Sequence, residues 1–296
     1  MVSGGRSSQP VDRPPLSFDL EIPMKTRTAN EILSSVGLQA EDLLHREDLL
    51  ASDRIAVYLS GSLVEGLGNR GSDIDVYVVG SVNPTQGSIQ RYQNTITSIH
   101  HHEDRRVDFE YWTNDAVERL VERTRRLSTN ESPEERTPLW GRLSELECEF
   151  IHRLRIGLPL RDAECVDRLQ RRFDYAQICK YFAGCSVTSA DDALEDLYGM
   201  LDDFDYEVLL LRSRDLLDHI CDAYCHHLGN TNTKRKWRRK ILVRLVSDDR
   251  GRALAAQLWR LQFPVEEALR SNARACRAHV EQCITTANEV IEWIQG

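Results

Sequence analysis

Gly61-Ser62 is followed ten residues later by Asp73-Ile74-Asp75, and Asp108 and Glu110 stand further along the chain. Side chains at i and i+2 of a strand share a face, so Asp73 and Asp75 would present two carboxylates together while Ile74 and Val76 pack the other way. Asp108 and Glu110, set between Val107, Phe109 and Tyr111, repeat that arrangement. If the two segments are neighbouring strands, three or four carboxylates converge. Such a cluster is costly unless a positive charge sits in it. Oxygen-rich acidic sites suit Mg²⁺, which is normally held by one or two carboxylates plus substrate phosphates. Two such ions can stabilise the attacking and leaving oxygens of an in-line phosphoryl displacement. Gly61 would let the backbone approach a phosphate closely, with the Ser62 hydroxyl and nearby N–H groups as donors. The plainer alternative for Asp73-Ile74-Asp75 is a half-exposed edge strand with a solvated acidic face. Gly61-Ser62 upstream and Asp108 downstream weigh against it.

The elements that must position these residues follow from periodicity. Arg54 to Leu59 (RIAVYL) is a short β-branched and aromatic run, Asp73 to Val79 (DIDVYVV) alternates before becoming apolar, and Arg106 to Trp112 (RVDFEYW) alternates again. All three read as strands. Residues 26–51 read as one or two helices with apolar positions at Ile32, Leu33, Val36, Leu43 and Leu44, and 86–101 as a weaker helix. From Asp115 onward helical periodicity dominates, broken at Ser132-Pro133, Gly157-Leu158-Pro159, Gly184, Gly229 and Phe263-Pro264. The class is therefore α+β.

The stretch LSGSLVEGLGNRGSDIDVYVV, with Asp108 on a later strand, resembles the signature of the DNA polymerase β-type nucleotidyltransferase superfamily. The resemblance covers 54–112. It implies a small mixed β-sheet nucleotidyltransferase domain (16–130, after a disordered leader at 1–15) followed by an all-helical domain (131–296), with the active site between them. It also implies Mg²⁺-dependent transfer of a nucleoside monophosphate from an NTP, ATP included, to an acceptor hydroxyl, with release of pyrophosphate. By the same resemblance Asp73 and Asp75 would ligate two Mg²⁺ ions, and Gly61 and Ser62 would hold the triphosphate. Asp108 would ligate the second ion or draw the proton from the acceptor hydroxyl. Glu110 stays open as the third carboxylate, and Ser60 stands where the family often has an apolar residue.

The rest of the chain narrows the acceptor only partly. Its 296 residues are 41% hydrophobic and 29% charged, with a formal net charge of −9, which argues against a long nucleic-acid partner. No run approaches the length of a membrane span, and the N-terminus has no secretory apolar core. The eight scattered cysteines read as buried thiols of a cytoplasmic protein; zinc at Cys221, Cys225, His226 and His227 is the weaker reading. His100 to His102 read as a solvated turn. Arg70, between Ser62 and Asp73, could reach a phosphate or simply lie on the surface. Residues 234–244 hold seven bases and no acid. Lys236, Arg239 and Lys240 would share a helix face there, and Lys236 is the first choice for the triphosphate, against a solvated face or pairing with the acidic 191–207 stretch. That acidic stretch either balances charge or forms a cleft wall for a cationic acceptor. A small-molecule acceptor, in the manner of antibiotic nucleotidyltransferases, is favoured. A tRNA or protein acceptor, an oligonucleotide synthase and a non-catalytic nucleotide-binding regulator are the alternatives.

Overall fold

The computed structural model describes residues 27–50, 55–69, 71–84, 86–92, 94–102, 104–127, 143–201, 205–264, 268–269 and 272–295. The leader at 1–15, Arg70 and the break at Ser132-Pro133 lie outside the described residues.

Three short helices, α1 (Ala29–Ser34), α2 (Ala40–Leu44) and α3 (Glu47–Leu50), precede five strands: β1 (Ala56–Ser60), β2 (Ile74–Val79), β3 (Ser88–Arg91), β4 (Thr95–His102) and β5 (Arg105–Trp112). Helices α4 (Asn114–Arg125) and α5 (Glu145–Arg155) follow, then β6 (Leu158–Arg161). The remaining elements are helical: α6 (Ala163–Gln170), α7 (Tyr175–Met200), α8 (Tyr206–His227), a 3₁₀ turn (Arg235–Trp237), α9 (Arg238–Leu245), α10 (Asp249–Gln262) and α11 (Ala273–Gln295). The order in the sheet is β3-β4-β5-β2-β1-β6. Among the described residues only β2 and β5 run parallel. The class is α+β, a mixed sheet followed by a helical region.

The near-continuous apolar run of β2 has its reason in this placement, because a central strand is covered on both faces. Val57, Leu59, Ile74, Val76, Val78, Val107 and Phe109 face the core shared with α1 and α2. Ala56, Tyr58, Tyr77, Val79 and Trp112 face the other core, shared with α4, α5, α6 and the first half of α7. Ring contacts fasten α5 there: Phe150 lies 4.3 Å from Trp112 and 6.3 Å from Tyr77, which stacks on Tyr58 at 5.3 Å. A third core joins the second half of α7 to α8, α9, α10 and α11, and Leu67 from the Gly-Ser loop enters it. The two helix-side cores thus meet within α7.

Two local expectations are corrected. Instead of a helix over 86–101, the segments Ser88–Arg91 and Thr95–His102 pair as antiparallel strands, with Ser88↔Ile99 and Arg91↔Ile96 in register. The β-branched Thr95-Ile96-Thr97 favours a strand, and β3 is exposed throughout, so its sequence carries no alternation. His100 is consequently a strand residue rather than part of a solvated turn. Its ring lies edge-on to Phe109 and within 2.8 Å of the Arg46 guanidinium. The Gly157-Leu158-Pro159 break is also more than a break: β6 pairs with β1 at the sheet edge, where a proline is tolerated.

The fully buried Phe150 is the fastener of α5, so Phe150→Ala should cost about 3–5 kcal/mol. Urea denaturation monitored by Trp fluorescence would measure this.

Candidate active site

The site is built where three adjacent strands bring their ends together. In register, Ser60 of β1 lies opposite Asp75 of β2, and Asp75 lies opposite Asp108 of β5. Asp73, just before β2, points to the same face by alternation. Glu110 is two pairs further in, opposite Tyr77, and receives a 2.6 Å hydrogen bond from Trp112 Nε1. Of the two candidates for the third position, Asp108 is therefore the one beside Asp75.

Gly61 follows β1 with φ +90°. A Cβ there would fall 1.9 Å from Asp75 Oδ2 and 3.0 Å from Arg153 Nη1. Glycine is demanded twice, by conformation and by the carboxylate pressed against it. After Ser62 the chain curls tightly, and the Ser62 carbonyl accepts from both Leu67 N (2.8 Å) and Gly68 N (2.7 Å).

This loop is gripped by the helical region. Buried Glu65 lies 3.2 Å from His152 Nε2 of α5, and accepts from Asn232 Nδ2 at 2.8 Å. His152 in turn meets Thr231 Oγ1 at 3.0 Å. Burial pushes the Glu65 carboxyl up, but His152 and Asn232 more than offset that and hold it below its ordinary pKa. Three loop carbonyls are also capped: Arg244 donates to Glu65 O (2.7 Å) and Gly66 O (2.8 Å), and Lys240 to Leu67 O (3.2 Å).

Positive groups offset the carboxylates unevenly. Arg153 of α5 lies 3.6 Å from Asp75 and donates to Glu149 at 3.1 Å. Lys234 reaches Glu149 at 2.7 Å. Arg106 forms a bidentate pair with Asp108, both contacts at 2.7 Å, and stands 3.9 Å from Asp73. Asp75 remains under-compensated. Burial raises its pKa to about 6 against the pull of Arg153, with Asp108, Glu149 and Asp73 adding to the rise.

Of the residues singled out from sequence, Gly61, Ser62, Asp73, Asp75 and Asp108 come together, and Arg70 is outside the described residues. Lys236 is exposed, with its ammonium 5.1 Å from the Trp237 ring centre. The cations of that run that contact the site's own elements are Lys234, Lys240 and Arg244. Arg235 and Arg238 pair with Asp218 of α8. Cys221 and Cys225 are buried and free, and His226 Nδ1 meets the Asn230 carbonyl at 2.7 Å. Sequence reasoning missed Glu149, Arg153, Arg106 and Glu65. The i, i+4 spacing of Glu149 and Arg153 was visible, but nothing local says that this face of α5 meets Asp75.

Residues 43–139 match the nucleotidyltransferase domain family. The chain carries a nucleotidyltransferase domain. No curated protein matches the chain. Among solved structures, a nucleotidyltransferase-like protein from Exiguobacterium sibiricum is similar, with a TM-score of 0.44 at 11% identity, covering 86% of this chain and 73% of that one. The matched segment contains β1, β2 and β5 and hence every carboxylate of the sheet, whereas Glu149, Arg153 and Lys234 of the candidate site come from beyond it.

Among the described residues no group of three His, Cys, Asp or Glu side chains forms a ready metal cage. The donor set nevertheless fits Mg²⁺, which needs one or two carboxylates and takes the rest of its shell from phosphates and water. Asp75, half-buried with too little positive charge, is the group that such a cation would satisfy.

Burial also lifts the Glu110 carboxyl to about 7 from 4.5. The folded state therefore holds this proton more tightly, and its contribution to stability, full below about pH 4.5, is lost as pH rises through about 7. Glu110→Gln should raise the melting temperature at pH 8 by roughly 2–4 °C, what about 1 kcal/mol is worth in a domain of 150–250 residues. The gain should shrink towards pH 5, as differential scanning fluorimetry across pH would show.

Proposed function

We propose that this chain is a Mg²⁺-dependent nucleotidyltransferase that moves the nucleoside monophosphate of an NTP such as ATP onto an acceptor hydroxyl and releases pyrophosphate. The observation that carries this reading is the register Ser60–Asp75–Asp108 across three strands, with Gly61-Ser62 at its edge. Asp73 and Asp75 are the residues to hold the cation, with Asp108 beside them as further ligand or as acceptor of the hydroxyl proton. When bound, Mg²⁺ would supply charge neutralisation for the transferring and leaving phosphoryl oxygens.

The chain's own residues do the rest by positioning, which is most of what phosphoryl transfer asks of a protein. Gly61 and Ser62 offer backbone and hydroxyl donors at the point where a triphosphate would lie against β2. The grip of Arg244, Lys240 and Glu65 keeps that loop in one shape. Arg153 and Lys234 add positive charge on the α5 side, and the exposed Lys236 of the same run is a further candidate for the phosphate chain. Arg70 belongs to the same loop and is a further candidate for phosphate contact.

A small-molecule acceptor is the reading we favour. A cavity of about 400 Å³ opens between α5, α7 and α8 beside Lys234, lined in part by Cys148, Tyr181, Phe182, His219 and Thr233. That volume is within the range typical of small-ligand pockets. A tRNA or protein acceptor is the second reading. The exposed Lys236, Arg239 and Lys240 would then serve as its docking surface. An oligonucleotide synthase or a non-catalytic nucleotide-binding regulator would share the site but differ in product. The cytoplasm is the compartment we assign, because buried thiols outside any disulfide suit a reducing compartment. Among the described residues no helix is long and apolar enough to cross a membrane.

The test is a thermal-shift panel of the four NTPs with and without Mg²⁺, on wild type and Asp75→Asn. A nucleotide at about 100 times its dissociation constant adds roughly 2.7 kcal/mol of stability. The expected result is a Mg²⁺-dependent shift in wild type that Asp75→Asn loses, together with loss of pyrophosphate release. An equal shift and equal turnover in the variant would contradict the assignment.

A further inference from the structure

The Arg106 guanidinium occupies the middle of the carboxylate cluster on the solvent side. It holds both oxygens of Asp108 at 2.7 Å and lies 3.9 Å from Asp73. It is on the same face of β5 as Asp108 by alternation, and its side chain is 43% exposed against 19% for Asp108. A guanidinium keeps its charge at any working pH, so Arg106 is a fixed cation. Arg153 offsets the cluster from the buried side through Asp75, and Arg106 offsets it from the open side. The two arginines differ in freedom. Arg153 is packed among α5 and the sheet, whereas Arg106 has solvent to swing into.

We propose that Arg106 is a resident counter-ion that keeps free divalent metal out and is handed from the carboxylates to the nucleotide's phosphates when metal and nucleotide arrive together. The inference rests on the Mg²⁺–nucleotide reading given above. Its physical basis is simple. A guanidinium within 4 Å of two ligating carboxylates repels a divalent cation at the same place. A triphosphate reverses the balance, because it brings several negative charges and the planar oxygen pairs that a guanidinium recognises bidentately. Metal and nucleotide would therefore each raise the other's affinity, with the same coupling factor in both directions.

The test compares wild type with Arg106→Gln, a change on an exposed strand position that circular dichroism can confirm to be folded. Binding of Mn²⁺ alone is read by electron paramagnetic resonance, and binding of α,β-methylene-ATP in EDTA by calorimetry. The expected result is opposite movement: Mn²⁺ binds about tenfold more tightly to Arg106→Gln, and the metal-free analogue about tenfold more weakly. Asp108→Asn in the same background should remove the Mn²⁺ gain. Unchanged or weaker Mn²⁺ binding by Arg106→Gln, or unchanged or tighter analogue binding, overturns the proposal while leaving the carboxylate site standing. Mn²⁺ binding to wild type that Asp75→Asn and Asp108→Asn both leave untouched would overturn the underlying reading, and this proposal with it.

Discussion

A carboxylate pressed against a glycine sets the geometry of this molecule. Asp75 Oδ2 fills the space where any other residue at 61 would carry its Cβ. It is held there by the register of β1, β2 and β5 and is faced by Arg153 from α5. A half-buried acid with one incomplete counter-charge is expensive, and its pKa of about 6 expresses that cost. Much of the surrounding structure can be understood as support for it. The aromatic cluster of Tyr58, Tyr77, Trp112 and Phe150 fixes α5 on the sheet, and α5 in turn delivers Arg153 and Glu149.

The helical region contributes more than a cover. Its segment from Thr231 to Arg244 reaches back to the Gly-Ser loop through Asn232, Lys240 and Arg244, and Leu67 of that loop is packed into the helical core. The candidate site is thus a joint product of the matched segment 43–139 and of residues far downstream. A displacement of the helical region would be felt first at the carbonyls of Glu65, Gly66 and Leu67, which shape the loop that follows Gly61-Ser62. This arrangement ties the shape of the Gly61-Ser62 loop to the position of the helical region.

How much of this is legible in the residues alone depends on range. β1, β2 and β5 are readable because apolar alternation and β-branched residues are local signals, and the carboxylates at 73, 75 and 108 sit at fixed phases within them. The β3–β4 pair escapes because β3 is wholly exposed and so has no apolar phase. β6 escapes because it is four residues long and includes Pro159. The basic run at 234–244 is obvious in sequence, but its division of labour is not. Lys236 is chosen by helix phase, yet the contacts with the site's elements belong to Lys234, Lys240 and Arg244, because the run opens as a 3₁₀ turn and only then becomes α9. Arg106 is two residues from Asp108 and was always available as its partner. Only the pairing of β5 with β2 reveals that it also faces Asp73.

The most direct measurement is the anomalous diffraction of Mn²⁺ in crystals grown with a non-hydrolysable analogue of the NTP that stabilises the protein best. The account predicts a manganese peak bonded to carboxylate oxygens of Asp73 and Asp75, with the triphosphate over Gly61 and Ser62 and the Arg106 guanidinium withdrawn from Asp73. Manganese bound elsewhere, or nucleotide lodged away from the β1–β2 edge with Asp75 still paired only to Arg153, would contradict it.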